Sequence, residues 1–164
     1  PVHPADRYRL AVHLERSGVA ESVEEHLRAT VAGARDPWDR QAAHALATRL
    51  RRRGGAAQVE AVEIWGRLWR SRPSDLRAAR ALAVGLERLQ RHAEALAVAE
   101  GSLELCARLD GWRLAAMRGA PAGGWAADWE RRCRRLRGRL VAQSPPPGLA
   151  VPSGVAAPAP LLAN

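Results

Sequence analysis

Phenylalanine and lysine are absent from the chain, and tyrosine and isoleucine each occur once. Strands draw heavily on β-branched and aromatic residues, so their scarcity excludes a β-rich fold. The core must come from Leu, Val, Ala and six Trp. Ala, Leu, Arg and Glu dominate nearly everywhere before residue 144, and these are strong helix formers. At 164 residues the chain fits one domain and can bury a sizeable core, and an all-α fold is expected.

With no lysine, all 26 basic residues are arginine, and the net charge is +9. Together with the Ala and Gly content this reads as GC-rich coding bias, so basicity alone does not identify a ligand. Its distribution is uneven. Residues 36–72 hold eight Arg against four acids and residues 110–164 hold eight against three, whereas 1–35 and 73–109 are each balanced at five against five.

Other absences bear on chemistry. There are two cysteines, Cys106 and Cys133, with no CxxC pattern and no His at ligand spacing. No metal is therefore expected, and the thiols are read as small core residues. His3, His13, His26, His44 and His92 are scattered and expected on helix surfaces. No GxxxxGK[ST], GxGxxG or GxSxG occurs, and nucleophile, base and orienter are missing as a set. The expectation is a protein that is not an enzyme, without cofactor or small-molecule substrate. No apolar run approaches the roughly 18 residues of a membrane span and no leader-like segment opens the chain, so a cytoplasmic location is expected. The first residue is Pro1 rather than Met, which reads as a piece of something longer.

What is present is a repeat. At a shift of 36, Leu10, Leu46 and Leu82 coincide, then Ala11, Ala47 and Ala83, then Leu14, Leu50 and Leu86. Gly18 and Gly54 follow the first two of these helices, where a left-handed cap calls for glycine. A second series, at Glu21, Glu60 and Glu94, begins "ESV", "EAV" and "EAL". Asp36-Pro37 and Ser74-Asp75 supply helix starts, and Pro73 closes the helix before it. These signals predict helices at 4–16, 20–33, 37–53, 57–71, 75–90, 92–108 and 125–142, with a short helix around 112–117. Residues 1–142 form the repeat domain, and 143–164, rich in Pro and Ala, are expected to be a disordered tail.

Residues 4–108 resemble the tetratricopeptide repeat. The third unit carries Leu82, Ala83, Leu86, Ala95, Ala99 and Ser102 at the family's spacing. The second matches through Leu46, Ala47, Leu50, Ala61, Trp65, Leu68 and Pro73, with a two-residue insertion, and the first through Leu10, Ala11, Leu14, Val23 and Leu27. Ala99 stands where an aromatic is usual. The resemblance implies a right-handed superhelix of about three helix pairs, binding a protein partner along a concave face. By position that face includes Tyr8, Gln41, His44, Thr48 and Arg51 from the first two units. The third unit adds Arg77, Arg80 and Glu87. Four of these can be positive, which points to an acidic peptide. The carboxylate clamp of some family members is matched only at Arg77, so chaperone tails are not the implied guest.

The stretch "WERRCRRLRGRL", residues 129–140, poses the sharpest question. Trp125, Trp129, Cys133, Leu136 and Leu140 recur at spacings of four, four, three and four, one apolar stripe on a helix. Arg131, Arg132, Arg134, Arg135, Arg137 and Arg139 take the other faces. The preferred reading is a capping helix with a wet face, its long stems covering apolar surface. The competing reading is a set of phosphate contacts. Residues 57–142 also resemble the helical tail that follows a ribonuclease H-like exonuclease domain in bacterial proteins, through the Trp-centred second helix, the "EALAVAE" helix and the final Arg/Leu helix. That resemblance implies a nucleic-acid-binding accessory module, since the acidic residues of such a nuclease are not in this chain.

Two readings of function follow. The first is a non-enzymatic helical-repeat adaptor whose concave face binds protein. The alternative is the nucleic-acid accessory module, and it turns on whether Arg51 to Arg53 and the final arginine helix share one surface.

Overall fold

A computed structural model describes residues 3–18, 20–33, 37–109 and 119–143. These form seven α-helices and, among the described residues, no strand. The helices are α1 (Pro4–Arg16), α2 (Ala20–Gly33), α3 (Pro37–Arg53), α4 (Ala56–Ser71), α5 (Leu76–Arg88), α6 (His92–Arg108) and α7 (Gly124–Gln143). Every expected long helix is present, with ends displaced by two residues at most. Asp36, the short helix at 112–117 and the 144–164 segment lie outside the described residues. Among the described residues no helix is long and apolar enough to cross a membrane.

The ends follow from local chemistry. The His3 ring accepts a hydrogen bond from the Ala5 N–H at 3.2 Å and so caps α1. Gly18 and Gly54 take positive φ of 77° and 72° just past α1 and α3. Asp75 caps α5, its carboxylate accepting from the Ala78 N–H at 3.1 Å. α5 ends in a paired cap, with Gln90 N–H on the Glu87 carbonyl and Arg91 N–H on the Leu86 carbonyl. The left-handed position, usually glycine, is Gln90 at φ 60°, and its amide oxygen lies 3.0 Å from His92 Nε2.

Each helix packs on the next along the chain, and α1 also touches α3. Short turns join α3 to α4, α4 to α5 and α5 to α6, so these neighbours run antiparallel. The core runs continuously through the stack, and the repeat residues Ala11, Leu46, Ala47, Leu50, Leu82, Ala83 and Leu86 all belong to it. Leu10 departs from the register: it is 42% exposed, because among the described residues no helix precedes α1 to cover it. Trp65 of α4, 1% exposed, fills the middle. Trp125, Trp129, Cys133 and Leu136 of α7 are buried as one stripe, and α7 packs on α6. Cys106 and Cys133 sit in the core as free thiols, and burial pushes both thiol pKa values up.

Candidate functional site

Five of the eight residues expected on the concave face come together. Tyr8 of α1, Gln41, His44 and Thr48 of α3, and Arg77 of α5 line one cavity of about 470 Å³. One turn on from Thr48, the exposed Arg52 also faces it. The spacing of four between 44, 48 and 52 puts these three on one face of α3.

Some of the polar atoms here are already engaged. Arg49 donates to Glu15 at 2.9 Å. The Thr48 hydroxyl donates to the His44 carbonyl at 2.8 Å. His44 Nε2 stands 3.2 Å from Asp75 Oδ2, tying α3 to the start of α5. Burial of Asp75 disfavours its charge, yet hydrogen bonds from His44 and the Ala78 N–H, with the charges of His44 and Arg40, hold its pKa below the ordinary 3.8. Arg52 and Arg77 differ from these groups, since neither has a carboxylate partner among the described residues. Arg77 runs past the Gly119 backbone, where an added Cβ would stand 3.5 Å from its Cδ. What the cavity offers is therefore two uncommitted guanidinium groups on different helices, able to hold and orient anionic groups.

The other three expected residues lie elsewhere. Arg51 turns toward α4, its guanidinium 5.6 Å from the centre of the Trp65 ring. Burial and the nearby charges of Arg88 and Arg52 lower its pKa. Arg80 and Glu87 are taken up by α7. Arg80 pairs with Asp128 at 3.3 Å. Glu87 receives Arg132, Arg135 at 3.3 Å and Arg139 at 3.8 Å.

Hence most of the arginine helix is internally committed. Arg131 lies 3.7 Å from Asp128 and Arg137 lies 2.8 Å from Glu100. Arg132 is not on a wet face at all. It is 7% exposed, pairs with Glu87 and stands 5.8 Å over the Trp129 ring. Only Arg134, of the six, is exposed with no ion pair among the described residues. Both arginine runs have a neighbour at the end of α5: Arg88 acts on Arg51, and Glu87 takes Arg132 of α7. Arg53 pairs instead with Glu24 of α2 at 2.9 Å.

Of the histidines, His3 and His13 are exposed as expected, and His92 departs from the surface expectation. His92 is 3% exposed and hydrogen-bonded to Gln90, His44 is half-buried against Asp75, and His3 caps a helix. The chain matches no family model and no curated protein.

Proposed function

We propose that the chain is a non-enzymatic helical-repeat adaptor that holds an acidic segment of a protein partner along its inner face. On this reading α1/α2, α3/α4 and α5/α6 are three tetratricopeptide-like pairs wound as a right-handed superhelix, and α7 is the capping helix. The sequential packing of the helices and the touch between α1 and α3 support that arrangement. The observation that carries the function is the 470 Å³ cavity shared by α1, α3 and α5, in which Arg49 pairs with Glu15 while Arg52 and Arg77 have no carboxylate partner among the described residues. Anchoring charge on rigid helices lets a flexible acidic guest be held by few groups.

The test is anisotropy of a fluorescein-labelled glutamate-rich peptide. Arg52→Glu/Arg77→Glu is expected to weaken binding about tenfold or more, since two charge contacts become repulsive. Arg134→Glu, outside the cavity, is expected to leave it unchanged. Equal affinity of the wild type and the cavity variant sinks the reading.

A second reading has its own observation. Arg51, Arg52, Arg88 and Arg134 are uncommitted by any ion pair among the described residues, and Arg52 and Arg88 both act on Arg51. They fit a nucleic-acid accessory module of a ribonuclease H-like exonuclease. The internal pairing of five of the six α7 arginines weighs against it. Labelled DNA or RNA that binds with steep salt dependence between about 50 and 200 mM, and is lost in Arg131→Ala/Arg134→Ala/Arg135→Ala, favours this second reading.

A further inference from the structure

Behind the inner face, α4 and α6 both pack on α5, and between them opens a groove of about 500 Å³ that shares no residue with the inner cavity. Its floor rests on the buried Val62, Leu82, Leu86 and Val98, and the apolar surface it presents comes from half-buried Trp69 and exposed Ala97. Small residues keep it open: Gly66 and Ala97 line it, and Gly101 receives the edge of Trp69, 3.6 Å from where a Cβ would stand. The neighbouring gap between α2 and α4 is bridged by Arg28 and Glu60, and the hydrogen bond from Arg28 holds the Glu60 carboxyl below its ordinary range. No ion pair among the described residues bridges α4 and α6. Equivalent gaps in the stack are thus treated differently, one tied by charge and the other left apolar and open.

The rim charge is also unequal. On the α6 side, Arg91 is taken by Glu94 at 2.6 Å, and Glu63 of α4 acts on Arg91 from the opposite wall. On the α4 side, Arg67 and Arg70 have no ion pair among the described residues. Arg70 lies over Gly66, its Nη1 3.3 Å from a Cβ placed there, and Arg67 adds to the lowering of Glu60, a carboxylate that Arg28 already holds.

We propose that this groove is a second docking site, for a short amphipathic helix of a partner protein with acidic residues beside its apolar stripe. α4 and α6 each run antiparallel to α5 and hence alike, so a helix laid between them has a wall on either side. It meets the floor with anchors at i, i+3 or i+4, and i+7. The volume falls in the roughly 300–1,000 Å³ range of ligand-binding clefts. Carboxylates flanking the stripe face Arg67 and Arg70. The adaptor then carries two partners at once, one on each face.

The probe is a labelled synthetic helix with a Leu stripe and Glu flanks, set beside a counterpart with Lys flanks. Two variants address the groove: Ala97→Trp, which fills it, and Arg67→Glu/Arg70→Glu, on exposed positions that are not part of the core. Each is expected to weaken the Glu probe about tenfold or more, with the Lys probe binding poorly throughout. In the Arg52→Glu/Arg77→Glu background, where the inner face no longer holds acidic residues, the Glu probe is expected still to bind and to lose that binding on adding Ala97→Trp. Should Ala97→Trp fail to fold, the charge-reversal variant still decides. Binding unchanged by the groove variants, equal binding of the Lys probe, or no binding overturns the proposal. Loss only on changing Arg52 and Arg77 places the probe in the inner cavity, overturning the second site and leaving the first reading intact.

Discussion

Gly85 of α5 marks the closest approach of α5 to α4. A Cβ there would stand 2.6 Å from Val62 Cγ2 and 3.4 Å from the Gln58 side-chain amide nitrogen. Gly85→Ala is therefore expected to cost about 1–3 kcal/mol by overpacking, measured by urea unfolding. Gly138 on α7 is the counter-case, with open space around the added methyl. Gly138→Ala is expected to stabilise by about 0.5–1 kcal/mol in the same assay, since only the helical cost of glycine is removed. The 36-residue register could not single out Gly85, because the matching positions are His13 and Arg49. Close approach is a property of one interface rather than of the repeat.

Asp75 gives a pH signature at the same scale. Its folded pKa is depressed below 3.8, so its contribution is complete above 3.8 and fades as pH falls through the lower, folded value. Asp75→Ala, which removes the cap on Ala78 and the partner of His44, is expected to cost about 1 kcal/mol at neutral pH. That difference is expected to shrink below pH 3.8. A penalty that persists undiminished in strong acid contradicts the assignment. The cap was legible in the Ser74-Asp75 pair. The His44 contact was not, since it joins residues 31 apart.

At the scale of the element, three arginines of α7 converge on one carboxylate of α5. Glu87, with its side chain 13% exposed, faces Arg132, whose side chain is 8% exposed, and two further arginines. Removing one member of such a pair leaves the other charge buried. Glu87→Gln is expected to cost about 3–5 kcal/mol, with loss of hydrogen-exchange protection concentrated in α7, whereas Glu87→Leu/Arg132→Leu recovers most of it. If Glu87→Gln unfolds like the wild type, the carboxylate is not the anchor. The helix itself was plain from the spacing of Trp125, Trp129, Cys133 and Leu136. Arg132 could have been placed too. It falls three residues after Trp129 and four before Leu136, on the flank of the stripe, although counting arginines as uniformly solvated hid this.

For the whole molecule, composition and the 36-residue register made the seven helices and most of the core legible, because capping residues and apolar spacing are local. Leu10 fails the register because burial depends on what lies beside a helix. Of the two inner-face arginines, Arg77 was legible from its register position, whereas Arg52 was not, since the sequence shows a surplus of arginine and only the fold shows which guanidiniums the carboxylates consume. The central claim is that an acidic guest meets Arg52 and Arg77 on the inner face. The most direct test follows the assigned arginine Nε–Hε signals by NMR while a glutamate-rich peptide is titrated in. The adaptor reading predicts shifts at Arg52 and Arg77, with Arg132 and Arg134 unmoved. Shifts confined to Arg134, Arg135 and Arg139 contradict it and move the binding surface to α7.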